Sequence, residues 1–199
     1  MPDVASLGLR VVDGRQLGPE YQGALRPGDT ISDAMGRQRE LPRYFYEIPS
    51  WDIAMKVQLS ENFFLWEFIQ VDVRENEALR RFPRYVPCSI TLLGVCLQRL
   101  RERVGTLIHI SANGGYRSPG HKLSRHASPH SWATAVNIYR IGDSYLDSQR
   151  EIERYGLMAQ ETLPGVWTRP YGDQPGFAED HLHLDIGYVT TVPRDAPGS

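Results

Sequence analysis

The chain has 199 residues, with 22 Lys and Arg against 24 Asp and Glu, a formal net charge of -2 and 41% hydrophobic residues. This is the composition of an ordinary globular protein, and it excludes a wholly disordered chain, a collagen or a long coiled coil. The charge balance lacks the basic footprint of a nucleic-acid binder, and no apolar run approaches a membrane span, so neither a nucleic-acid nor a membrane partner is expected.

Residues 1–58 are rich in Gly, Pro and polar residues, with an aromatic stretch at Tyr44, Phe45, Tyr46 and Trp51. They are predicted to form an N-terminal arm packed on a main domain at 59–189, which a tail at 190–199 follows. The N-terminus has no basic segment leading into an apolar one, so a cytoplasmic location is the expectation, with release by lysis as the alternative. Ser60 is a candidate cap for a short helix carrying Phe63, Phe64, Trp66 and Phe68. After Ser89, a second candidate cap, Ile90, Leu93, Leu97, Leu100 and Val104 recur at helical spacing, and Gly105 marks the stop. Cys88 and Cys96 sit too far apart along this region for a disulfide.

A strand is predicted at 106–111, followed by the Gly-rich loop Asn113-Gly114-Gly115-Tyr116-Arg117-Ser118-Pro119-Gly120. Further strands are predicted at 134–141, 165–169 and 180–189, with a helix at 148–159 between the first two. The last strand alternates, with Leu182, Leu184 and Ile186 on one face and His181, His183, Asp185 and Gly187 on the other. Helices followed by strands with one inserted helix make an α+β pattern, a small antiparallel sheet flanked by helices.

His181 and His183 share a strand face, and Asp180 and Glu179 precede them. Two imidazoles beside a carboxylate suit a metal site with a general base, although the same residues also suit a solvated sheet face. His130 ends a loop and Asn137 lies on the strand after it, a spacing that allows the two side chains to meet. Pro129 argues against a helical His126–His130 pair. His121 and His126 read as exposed loop residues, and Trp132 and Trp167 as packing. Arg117 could cap a helix or bridge to a carboxylate. Asp185 could back a ligand histidine or be a surface acid.

The stretch Ser128-Pro129-His130-Ser131-Trp132-Ala133-Thr134-Ala135-Val136-Asn137 resembles the metal motif of the hedgehog/DD-peptidase superfamily, Ser-x-His-x-x-Gly-x-Ala-x-Asp. That superfamily includes zinc D-alanyl-D-alanine carboxypeptidases, dipeptidases and L-alanyl-D-glutamate endopeptidases. The GGYRSP loop at 114–119, the HLH at 181–183 and the LSENFFLWEF at 59–68 complete the resemblance, in the family's order. It implies a zinc site with His130 and His183 as ligands and Asn137 at the third position, where the family has Asp. It further implies that Arg117 binds substrate or stabilises the oxyanion, and that Asp180 and His181 flank the last ligand. Zinc in such a site brings the pKa of bound water to about 7 and polarises a carbonyl.

Two positions depart from the pattern. Ala133 stands where the family has Gly, which matters only if the backbone there needs a positive φ. Asn137 offers a neutral oxygen that binds zinc less well than a carboxylate, leaving Glu179 or Asp143 as possible substitutes. The expectation is a zinc-dependent hydrolase acting on a small peptide or cell-wall-like substrate. A binding or regulatory protein, or another reaction on the same scaffold, is the alternative.

Overall fold

A computed structural model describes residues 7–124 and 126–198. The first six residues of the predicted arm, the last residue of the tail, and Arg125 lie outside the described residues. In chain order, β1 is Arg10–Asp13, α1 Pro19–Leu25, β2 Thr30–Ser32, β3 Gln38–Glu40, β4 Tyr44–Glu47 and α2 Trp51–Ala54. Then come β5 Gln58–Ser60, β6 Phe63–Phe64, α3 Glu77–Arg80, β7 Tyr85–Pro87, α4 Ile90–Val104 and β8 Ile108–Ile110. The last elements are β9 Ala135–Ile141, β10 Ser144–Tyr145, α5 Gln149–Thr162, β11 Trp167–Thr168 and β12 Leu182–Asp185. This is a mixed α+β fold built on small antiparallel sheets.

Strand β9 is the hub of the site-bearing sheet. It pairs with β12 along its first half, and with β8 and β10 along its second, while β11 extends the sheet beyond β12. All of these pairings are antiparallel. Leu182 and Leu184 point into the core with Val136 and Ile138, and α5 packs on that face through Ile152, Tyr155 and Ala159. The opposite face carries Asn137, His183 and Asp185.

The first 58 residues join the rest through a second sheet, in which β4 lies between β1 and β7. One apolar cluster runs from Val11 and Phe45 through Leu93 and Leu97 to Leu184. The aromatic stretch thus contributes core: Tyr44, Phe45 and Tyr46 are all buried.

The α4 helix begins after Ser89 and ends at Gly105, which adopts φ 68° as a left-handed cap. Ser89 does not cap it with its side chain; its hydroxyl donates to Trp132 O instead, tying α4 to the loop before β9. Two predicted elements change character. Ser60 caps no helix but closes β5, and Phe63 and Phe64 form the returning strand of that hairpin. Only Leu65–Phe68 coils, as a 3₁₀ turn whose start is held by Glu67 accepting from Phe64 N–H at 2.8 Å. The last strand is shorter than 180–189: Asp180 and His181 precede it, and residues after Asp185 leave it. Both cysteines are free, Cys88 buried and Cys96 half-buried. No helix among the described residues is long and apolar enough to cross a membrane.

Candidate functional site

The Gly-rich loop, the turn before β9, the β9–β12 face and the end of β11 border one cleft of about 1160 Å³, which the turn between β2 and β3 also lines through Met35 and Arg37. The loop is held tightly. Gly114 O accepts from Asn137 N–H at 2.8 Å, and Phe68 O accepts from Tyr116 N–H at 2.7 Å. A Cβ on Gly115 would overlap the Phe68 backbone, so only glycine permits this approach. The adjoining Ser118 is fixed by buried Glu75, which accepts from Ser118 N–H at 3.0 Å and from its hydroxyl at 2.5 Å. Arg117 is thereby aimed into the cleft.

His130 sits in the 3₁₀ turn Pro129–Trp132 and is fully buried. Its Nδ1 lies 2.7 Å from Gly115 O, and a carbonyl only accepts, so the ring proton is on Nδ1. Its Nε2 is a buried lone pair without a partner among the described residues. Ala133, which closes the turn, has φ 55°. The backbone therefore needs the conformation that the family supplies with glycine, and Ala133 adopts it under strain.

His183 lies opposite Asn137 in the β9–β12 register. Its ring centroid is 5.1 Å from that of His130. Its Nδ1 faces Asn137 Oδ1 at 2.9 Å, and its Nε2 faces Asp185 Oδ2 at 3.2 Å. Burial, offset in part by Asp185, takes His183 down to about 4, so the ring is neutral at neutral pH and holds one proton. A carboxylate is the stronger acceptor, which places that proton on Nε2 and leaves the Nδ1 lone pair facing Asn137. Two acceptors 2.9 Å apart repel unless a cation lies against both or the amide turns its NH₂ toward the ring. Asp185 is thus a buried carboxylate behind a histidine, not a surface acid.

His181 is half-buried and pairs with Asp180 at 2.5 Å through Nδ1, leaving its Nε2 buried and unpartnered. The Asp180 side chain is 81% exposed. Asp180 therefore lines the cleft at its solvent edge, while the His181 imidazole reaches further in. Burial lowers the pKa values of His130 and His181, most strongly for His130, where Arg117 and His183 add to the effect.

Among the described residues Arg117 neither caps a helix nor bridges to a carboxylate, and its buried Nε has no partner there; burial and the nearby Arg169 bring its pKa down to about 10. Neither Glu179 nor Asp143 lines the cleft. His126 is exposed as expected, but His121 is buried, accepting from Leu123 N–H at 3.0 Å with Asp72 3.6 Å from its Nε2. Trp132 is core, donating to Glu40 O at 3.0 Å. Trp167 is not: it is 48% exposed at the cleft, edge-on to His183 at 5.7 Å.

Arg169, which lines the cleft, and Glu75, which holds the Gly-rich loop from behind, escaped the sequence reading. Glu75 lies 43 residues from Ser118, and no local pattern joins them. Arg169 sits at the end of a predicted strand, but its place in the site depends on how β11 pairs with β12.

The residues meet a zinc ion in part. His130 Nε2 and His183 Nδ1 are neutral imidazole donors of the kind zinc takes, and Asn137 supplies an oxygen without charge. Among the described residues no cluster of three His, Cys, Asp or Glu side chains is arranged to hold a metal ion. No family model, curated protein or solved structure matches the chain.

Proposed function

We propose that the chain is a zinc-assisted hydrolase of peptide-like amides on a scaffold resembling the DD-peptidases. The reading rests on one observation above all: His130 Nε2 is buried without a hydrogen-bond partner among the described residues, with its ring 5.1 Å from that of His183, whose Nδ1 meets Asn137 Oδ1 at 2.9 Å. Unsatisfied buried polar atoms are costly, and such a cluster favours a ligand that answers several at once.

In this reading His130, His183 and Asn137 hold the zinc, which when bound would activate water and polarise the scissile carbonyl. Asp185 fixes the His183 ring so that Nδ1 stays free of its proton. His181, kept in its Nδ1–H form by Asp180, presents Nε2 to take and return a proton. Arg117 binds a carboxylate or carbonyl oxygen of the substrate, its cationic field strengthened by burial. Glu75 is a positioning residue, holding the loop that carries Arg117.

Asn137 favours a second reading. With its amide turned, it donates to His183 Nδ1 and closes the site without metal, making the chain a binding protein. Turnover of peptides with D-alanyl ends, assayed with zinc supplied in the wild type and in Asn137→Asp, separates the two. Activity in both supports the hydrolase. Activity in Asn137→Asp alone marks a scaffold disarmed at one ligand. Silence in both, with zinc bound, discards the peptidase.

A further inference from the structure

The register of β11 on β12 pairs Trp167 with Asp185 and Thr168 with Leu184. One step further sets Arg169 beside His183, and Arg169 N–H donates to His183 O at 3.2 Å. His183 in turn faces Asn137. Asn137, His183 and Arg169 therefore form one cross-strand row, and directly opposed residues project from the same face. Arg117 reaches the same cleft from the Gly-rich loop.

Neither guanidinium has an ion-pair partner among the described residues, and the Nε of each is buried without a hydrogen bond. The nearest buried acid, Asp185, already faces His183 with one oxygen and accepts from Gly187 N–H with the other at 2.9 Å. Asp180 also lines the cleft, but its exposed carboxylate is paired with His181, so two half-buried guanidiniums stand over the site with no ion pair of their own. A guanidinium is a planar fork that matches a carboxylate with two parallel hydrogen bonds.

We propose that Arg169 is a second anion-binding residue of the cleft, and that with Arg117 it selects a ligand bearing two carboxylates. This deepens the proposed function, since it assumes that the substrate occupies this cleft. Its test needs neither zinc nor turnover.

Binding of glutarate, adipate and their monoamides is measured by calorimetry on protein stripped of metal on a chelating resin. At least one dicarboxylate is expected to bind the wild type about tenfold or more tighter than its monoamide, as befits one further charge-assisted contact. Arg169→Gln should bring that ratio to about one while keeping monoamide binding through Arg117, and Arg169→Lys should keep part of it. Urea unfolding of each variant verifies the fold. A wild-type ratio near one, a ratio that survives in folded Arg169→Gln, or tighter binding of inorganic phosphate would overturn the assignment. A preserved ratio without peptide turnover would support the dianion site while discarding the hydrolase. Turnover with a ratio near one would do the reverse.

Discussion

Buried charge is handled in opposite ways around two buried aspartates and in the floor of the cleft. Near the N-terminal sheet, Asp13 is gripped by Arg43 at 2.7 Å and Arg15 at 3.3 Å, and Asp33 by Arg37 at 2.8 Å and Arg39 at 3.2 Å. Every buried acid there has its cations, and the pairs hold a loop and a strand end in place. In the cleft, Arg117 and Arg169 are half-buried and form no ion pair among the described residues, and Nε2 of His130 and of His181 has no hydrogen-bond partner there. Folding alone rewards the first arrangement and penalises the second. A chain keeps the second where a ligand completes it.

The largest effect that sharpens this contrast lies at Asn137. Replacing it with Asp adds the missing anion to the His130–His183 pair, and zinc affinity by calorimetry should rise by roughly ten- to a hundredfold. Equal affinity in the two forms would remove Asn137 from the site.

Arginine replacement should break the comparison into opposite signs. Arg117→Met removes a half-buried cation that forms no ion pair among the described residues and should stabilise the fold by about 1 kcal/mol in urea unfolding, while weakening ligand binding. Arg43→Met strips the shortest ion pair from buried Asp13 and should lower the unfolding midpoint. Both variants falling together would mean that Arg117 has a structural anion.

The acid limb of the pH profile carries the two buried aspartates, Asp13 and Asp33. Burial tends to raise the pKa of Asp13, but Arg43 and Arg15 hold it at about 2, below its ordinary 3.8. A lowered folded pKa contributes stability that is present above 3.8 and lost as pH falls through about 2. Asp13→Asn should lessen the loss of stability over that window, with Asp33, also held at about 2, supplying part of what remains, measured by denaturant midpoints at successive pH values.

How far the sequence reached follows the same division. The α4 helix was legible because its apolar spacing and Gly105 act locally. The His130, Asn137 and His183 grouping was legible because the ordered motifs resemble a known family. The 3₁₀ turn at Leu65–Phe68 was not, since Phe63 and Phe64 are needed as strand residues against β5 and tertiary pairing overrides the cap at Ser60. The exposure of Asp180 was not legible, because β12 begins only at Leu182 and leaves its carboxylate at the solvent edge of the cleft. Glu75 and Arg169 act through contacts that no short window contains.

The smallest expected effect is at Ala133. Glycine there relieves the positive φ but loses a buried methyl, two terms of about 1 kcal/mol that nearly cancel. Ala133→Gly should therefore leave stability within about 1 kcal/mol of the wild type, whereas Ala135→Gly, buried in β9 with ordinary strand geometry, should cost more in the same assay. Equal losses would show that the turn at Ala133 carries no strain.

The central claim is that buried lone pairs on His130 and His183 face one missing ligand. Nitrogen-15 spectra of the imidazole rings during a zinc titration test it most directly. The account predicts Nδ1–H on His130 and Nε2–H on His183 before zinc, and shifts at His130 Nε2 and His183 Nδ1 together as zinc is added. A His183 ring protonated on Nδ1, with no response at either nitrogen to saturating zinc, would contradict it.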